Sequence, residues 1–195
     1  PVEDSIEGIY DSLMNMAIIH KSGGGTGFSF SRIRPGNDEV RSTLGVATGP
    51  VSFMTLYDKS TDVVKQGGTR RGANMGIMRY DHPDIDKFIH AKDNNDMLEN
   101  FNISVAIDDD FMKAVKEDRE FPMINPKDGE QVGSRNAKEM WDELIDSAWK
   151  SGDPGIVIMD RINNSQSNPT PHIGEIESTN PCGEIPLCPY DSCRL

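Results

Sequence analysis

The chain has 195 residues, 35% hydrophobic and 27% charged, with 32 acidic against 20 basic side chains and a net charge of −12. That length supports one domain with a substantial core, and the acidic balance argues against a generic nucleic-acid binder, which presents a basic face. No apolar run reaches membrane-spanning length, the first residues do not read as a signal peptide, and three cysteines do not form a secreted disulfide framework, so a cytoplasmic protein is expected.

Asp4-Ser5 precedes Ile6, Ile9, Tyr10, Leu13, Met14, Met16 and Ala17, which predicts a capped amphipathic helix to about His20. A glycine-rich break at Ser22 to Gly27 leads into an alternating strand, Phe28 to Ile33, and then a polar loop, Arg34 to Gly49. Pro50 suits the first turn of a second helix, ending near Lys65. A second glycine loop, Gln66 to Gly72, precedes an apolar strand, Ala73 to Arg79. Pro83 opens a helix to about Lys92, Asn100 to Ile107 alternates as a strand, and Asp108 to Asp110 cap a helix, Phe111 to Glu117. Phe121 to Val132 reads as a hairpin around Asp128-Gly129. Asn136 to Lys150 is a strong helix with Trp141, Leu144, Ile145 and Ala148 on one side. A short buried strand, Gly155 to Met159, a helical turn, Asp160 to Asn164, and a polar run, Ser165 to Thr170, follow. Strands alternating with helices indicate an α/β domain with a largely parallel sheet.

Three stretches carry candidate chemistry. Gly23-Gly24-Gly25-Thr26-Gly27 lies between helix and strand, the reverse of the order a dinucleotide fingerprint needs, and no P-loop is present. Its glycines offer open backbone groups to a ligand; a plain tight turn is the alternative. Lys65-Gln66-Gly67-Gly68-Thr69-Arg70-Arg71-Gly72 joins flexible glycines to cations that suit phosphates and base edges, or forms a solvated loop. Near the C-terminus, Thr179-Asn180-Pro181-Cys182-Gly183-Glu184 places an amide, a thiol and a carboxyl at alternate positions. Pro181 biases Asn180 towards extended geometry, so the three are expected on one side of an extended segment; an ordinary turn is the alternative. The spacings between Cys182, Cys188 and Cys193 lack the close pairs of structural zinc sites, so no metal is expected.

Taken in order, Gly23 to Gly27, Lys65 to Gly76, Asp81-His82-Pro83-Asp84-Ile85 and Asn180-Pro181-Cys182-Gly183-Glu184 resemble the large catalytic subunit of ribonucleotide reductase, most closely its adenosylcobalamin-dependent class. The resemblance covers essentially the whole chain. It implies an α/β fold, part of a ten-stranded α/β barrel built from two parallel five-stranded halves, with this chain supplying the first half and a central finger loop. It divides the single partial domain into effector-binding helices and loops at 1–72, barrel strands and helices at 73–164, and the approach and finger at 165–195.

By resemblance, a radical generated from adenosylcobalamin converts the Cys182 thiol to a thiyl that removes the ribose 3′-hydrogen. Glu184 takes the 3′-hydroxyl proton, and Asn180 holds the sugar hydroxyls. Substrate contacts are implied at Gly24, Gly25, Lys65, Gln66 and Arg70. Contacts to an allosteric dNTP or ATP effector are implied at Asp4, Ser5, Ile6, Lys21 and Arg34. A homodimer and a thioredoxin-type reductant are implied for the full enzyme, with no nucleic-acid or membrane partner. The family's reducing cysteine on the first barrel strand would lie just before Val2-Glu3-Asp4-Ser5, and neither Cys188 nor Cys193 matches it. Both chain ends are expected to continue into something longer, and the isolated residues are not expected to turn over. The alternatives are the class with a separate metal-containing radical subunit and a nucleotide-binding module without chemistry. The choice between diphosphate and triphosphate substrates stays open.

Overall fold

The structure, a computed structural model, describes residues 1–40, 45–64, 71–93 and 97–193. Helix α1, Ile6–Lys21, starts where the Ser5 side chain accepts from the Gly8 N–H at 3.0 Å and ends at Ser22. Strand β1, Thr26–Ser29, then leads into a loop that carries a small hairpin of β2, Glu39–Val40, and β3, Gly45–Val46. Helix α2, Pro50–Val63, has Pro50 in its first turn, where the missing N–H costs no bond.

Strand β4, Asn74–Arg79, helix α3, Ile85–Ile89, strand β5, Phe101–Ile107, and helix α4, Asp109–Glu117, follow. Asp108 caps α4 by accepting from the Phe111 N–H at 2.8 Å. An antiparallel hairpin of β6, Glu120–Ile124, and β7, Gln131–Asn136, leads to helix α5, Ala137–Ser151, which Asn136 caps. Strand β8, Gly155–Ile158, helix α6, Met159–Asn163, and a last hairpin of β9, Ser178–Thr179, and β10, Pro186–Leu187, complete the described elements.

Strands β1, β4, β5 and β8 form one sheet in the order β1-β4-β5-β8, every pair parallel. The sheet's two faces differ. Phe28, Phe30, Met78, Phe101, Ile103 and Val105 point to a large core filled by Ile9 and Met16 of α1, Met54 and Tyr57 of α2, Phe88 of α3, Phe111 of α4 and Leu144 of α5. Phe28, Phe30, Tyr57 and Phe101 meet as an aromatic cluster, with T-shaped contacts at 5.2 and 5.5 Å between ring centres. The opposite face carries a small cluster of Met75, Ile77, Ala106 and Val157, backed by Met159 and Ile162. Helices α1 to α5 therefore cover one face, and the other is left to α6 and the last hairpin.

Several sequence expectations shift. The first strand begins at Thr26 rather than Phe28, and the chain turns away after Phe30, whose N–H still bonds Ile77. The helix expected over Pro83 to Lys92 is a single short element, α3. Strand β5 does not alternate between buried and exposed: all but Asn102 are buried, because both faces of this inner strand are covered. Strand β8, expected to be buried, exposes Gly155 and Ile156 at the edge of the described sheet. In α5 the inward side is Met140, Leu144 and Ser147, whereas Ile145 is half exposed and Trp149 almost fully so. The β1 register to β4 also means that the 1–72 segment contributes a strand to the same sheet as 73–164.

Candidate active site on the finger hairpin

The β9–β10 hairpin lies across the sheet face that the large helices leave free. It can come close because β1 presents Gly27 there: a Cβ on Gly27 would sit 1.7 Å from the Thr179 carbonyl oxygen, so only a residue without a side chain permits this crossing. Gly25 packs against the ring of Pro181. The Asn102 side-chain amide of β5 donates to the Pro181 carbonyl at 2.7 Å. The start of β1 and strand β5 thus position the residue just before Cys182.

The tip, Asn180 to Ile185, is a turn and not the extended comb expected from the spacing. The Gly183 N–H donates to the Asn180 carbonyl at 3.0 Å, and the Asn180 N–H donates to the Ile185 carbonyl at 3.1 Å. Gly183 takes φ +86°, which a turn here requires. Pro181 restricts its own φ to a value that suits a turn as well as a strand, so the bias on Asn180 does not decide the matter. The Asn180 side-chain oxygen accepts from the Ile185 N–H at 3.0 Å, leaving the amide NH2 as the group free to donate outward. Cys182 is an exposed free thiol, and Glu184 is exposed.

Below the tip, the stem is pinned by charge. Arg32, at the end of the β1 segment, donates to both oxygens of Glu177 and to Glu3 at 2.9 Å. The bond to Glu177 raises the Arg32 guanidinium above its ordinary value against the opposing effect of burial. The Asn163 and Asn168 side chains bracket the approach, donating to the Ile176 and Gly174 carbonyls. A cavity of about 470 Å³ runs along this face, lined among others by Ser29, Arg79, Asn163 and Glu177. A smaller one, about 220 Å³, opens at the N-terminal strand ends beside the tip, between Arg71, Asn74, Glu99 and Asn102.

The expected substrate contacts divide. Gly25 is against the tip, and Gly24 packs on Ile19 of α1. Lys65, Gln66 and Arg70 lie outside the described residues; Arg71 just after them pairs with Glu99 at 3.7 Å. Of the expected effector residues, Asp4 and Arg34 are together: the Arg34 Nε donates to the Asp4 carboxylate at 2.7 Å. Ser5 is the α1 cap and Ile6 is exposed. Lys21 is at the far end of α1, about 24 Å away along a 16-residue helix, and the fold of one chain does not bring it to Arg34. Asn102 and Arg32 were not anticipated. The signal for Asn102 was an amide inside a mostly apolar strand; nothing in the sequence pointed to Arg32.

The whole of 1–195 matches the family model described as ribonucleotide reductase, barrel domain. The chain is 57% identical over its full length to a vitamin B12-dependent ribonucleoside-diphosphate reductase of Thermoplasma acidophilum, covering 25% of that protein. It is 46% identical over its full length to one of the same description from Mycobacterium tuberculosis, covering 28% of it. Over 94% of its length it is 30% identical to a ribonucleoside-diphosphate reductase large subunit of monkeypox virus, covering 27% of that protein. The chain thus spans about a quarter of the length of the curated relatives it matches. With its four-stranded parallel sheet and a hairpin laid across one face of it, the chain belongs to the ribonucleotide reductase barrel-domain family.

Proposed function

We propose that this chain is the finger-bearing part of the catalytic barrel of an adenosylcobalamin-dependent ribonucleotide reductase acting on ribonucleoside diphosphates, as the names of its Thermoplasma and Mycobacterium relatives suggest. The observation that carries the reading is the pinned turn: an exposed Cys182 thiol between Asn180 and Glu184, held to the sheet through Pro181. The S–H bond is weak enough for reversible hydrogen-atom exchange, and the thiol is a bonding partner of no described residue, so it fits the role of acceptor for a cofactor-derived radical. Bound adenosylcobalamin supplies the adenosyl radical. Cys182, having given its S–H hydrogen to that radical, would as a thiyl remove the 3′-hydrogen of the ribose and return it once reduction is complete, while Glu184 accepts the 3′-hydroxyl proton as general base. Asn180, with its oxygen already engaged by Ile185, acts as a donor to the sugar hydroxyl oxygens. The 2′-hydroxyl leaves as water, and a dithiol supplies the two electrons, itself renewed by a thioredoxin-type reductant.

Asp4, Ser5, Ile6 and Arg34 serve a dNTP or ATP effector that sets substrate choice through residues 65–70, Lys21 joining them only across the subunit contact of a dimer, and the Gly24-Gly25 backbone beside the tip contributes to the substrate side. The segments 1–72, 73–164 and 165–195 are read as effector-binding, barrel and finger parts of one partial domain. The full enzyme is read as a cytoplasmic homodimer; no helix among the described residues is long and apolar enough to cross a membrane.

The test is made in the complete reductase. Cys182→Ala should abolish deoxynucleotide formation while dNTP effectors bind as before, and any residual turnover removes Cys182 from the chemistry. Turnover of the unaltered enzyme with adenosylcobalamin and no second protein separates this reading from a class that needs a radical-bearing subunit.

A further inference from the structure

The Asp81-His82-Pro83-Asp84 turn takes no part in the chemistry above, yet its side chains are among the most deeply buried polar groups of the chain: His82 is 2% exposed and Asp84 5%. They bind the incoming limb of the loop between β1 and α2 and lie against its outgoing limb. On the incoming side, His82 Nε2 lies 2.8 Å from the Ile33 carbonyl. The Asp84 N–H donates to His82 Nδ1 at 3.0 Å, so Nδ1 carries no hydrogen and the Nε2–H is the donor. The next contact is two residues past Arg34, where the Gly36 N–H donates to Asp84 Oδ2 at 2.6 Å. The other Asp84 oxygen accepts from Lys87 at 2.7 Å.

On the outgoing side, Gly49 passes directly over the same carboxylate. It has φ +84°, and a Cβ there would lie 2.4 Å from Asp84 Oδ2 and 2.8 Å from the Gly36 nitrogen. The two strands of the loop are joined to each other just beyond, Asn37 N–H to the Ala47 carbonyl at 2.9 Å and Ala47 N–H to the Asp38 carbonyl at 2.8 Å. A second anchor holds the loop's first limb to the β6–β7 hairpin: Lys127 donates to Asp38 Oδ2 at 3.1 Å and to the Glu39 carbonyl at 3.3 Å. Arg34 lies between the Ile33 and Gly36 contacts, so its backbone has little freedom once both are made. Its side chain, paired with Asp4 across the start of α1, is thereby delivered to a fixed place.

We propose that the Asp81-His82-Pro83-Asp84 turn is a positioning latch: His82 and Asp84 bond the incoming limb of the loop between β1 and α2, pack against its outgoing limb at Gly49, and so set where Arg34 stands relative to α1. The proposal rests on the reading of Arg34 as an effector contact. Under that reading, His82, Asp84 and Gly49 determine effector affinity without touching the effector, through the loop they hold. A general role in folding would instead affect effector-free turnover as much as effector response.

The experiment uses the complete reductase, with dATP or dGTP as the probe. Asp84→Ala and Gly49→Ala should each raise the effector dissociation constant at least about tenfold, within the range of ordinary site-to-site coupling, while effector-free turnover stays within about twofold. His82→Asn keeps an acceptor for the Asp84 N–H and loses the donor to Ile33, so it should fall between the unaltered enzyme and Asp84→Ala. Effector affinity unchanged in both Asp84→Ala and Gly49→Ala, or equal losses of effector-free and effector-stimulated turnover, overturn the latch. Arg34→Ala separates the two layers: if it leaves effector affinity intact, the effector reading fails and the latch as a regulatory part fails with it. Should the latch variants not fold, hydrogen exchange on the unaltered enzyme decides. The Gly36 and Asp84 amides should exchange slowly, and more slowly still with dATP bound; exchange at the rate of open loop amides overturns the proposal.

Discussion

At the scale of single residues, the site depends on absent side chains as much as on present ones. Gly27 lets the finger cross β1 at backbone contact distance, and a methyl group there must push Thr179 away. Overpacking of this kind costs about 1–3 kcal/mol, and a displacement of about 1 Å at a reacting group can cost roughly a hundredfold in rate. Gly27→Ala in the complete reductase should therefore lower turnover by about two orders of magnitude and leave effector affinity within about twofold. Asn102→Leu, which deletes the 2.7 Å bond to Pro181, should act in the same direction but less severely. Steady-state turnover beside effector titration checks both. The amide, thiol and carboxyl of Asn180, Cys182 and Glu184, the residues of the proposed chemistry, were legible in the sequence. Their arrangement was not, because Pro181 is compatible with turn and strand alike, and the Asn180–Ile185 bonds that choose between them join residues five apart.

Among elements, α1 has two unlike sides. Ile9, Met16 and His20 face the core, while Ile6, Tyr10, Met14 and Ile18 form an outward stripe at four-residue spacing, each more than half exposed. An apolar stripe on an exposed helix marks a surface that another helix covers, which supports the homodimer reading. Met14→Glu should shift the complete reductase towards monomer, read by analytical ultracentrifugation, and weaken effector binding in parallel. An unchanged sedimentation profile would place the dimer contact elsewhere. The helices themselves were readable from caps and periodicity: Ser5, Asp108 and Asn136 each accept a backbone N–H as expected of cap residues. Strand β5 misled because an inner strand covered on both faces loses the alternation that marks a half-buried one.

For the molecule as a whole, the α/β class and the parallel sheet followed from the succession of strands and helices, but the unequal covering of the two faces did not. Residues of β4 are buried on both sides, so their pattern gives no hint that one side meets helices and the other a hairpin from about a hundred residues later. The same burial bears on acid stability. Burial lowers the His82 pKa from the ordinary 6.5, against the raising effects of the Ile33 carbonyl, Asp84 and Asp81, and Lys87 lowers it further; burial likewise lowers that of His20, opposed by the Ala73 carbonyl. Both histidines bind protons more readily unfolded than folded. Their contribution is therefore complete above the ordinary value of 6.5 and is lost as pH falls below it. Urea midpoints should be lower at pH 5.5 than at pH 7.5 (values chosen to bracket roughly one unit either side of a free histidine), and His82→Asn should narrow the gap. A midpoint independent of pH across that interval would show that neither ring needs to be neutral.

The crossing at Gly27 has one more consequence. The height at which the Cys182 sulfur is carried above the sheet is set where main chain rests on main chain, with no side chain between them. Substitutions elsewhere can exchange one hydrophobe for another and leave that elevation alone, so the thiol's position is insulated from changes in the packing around it.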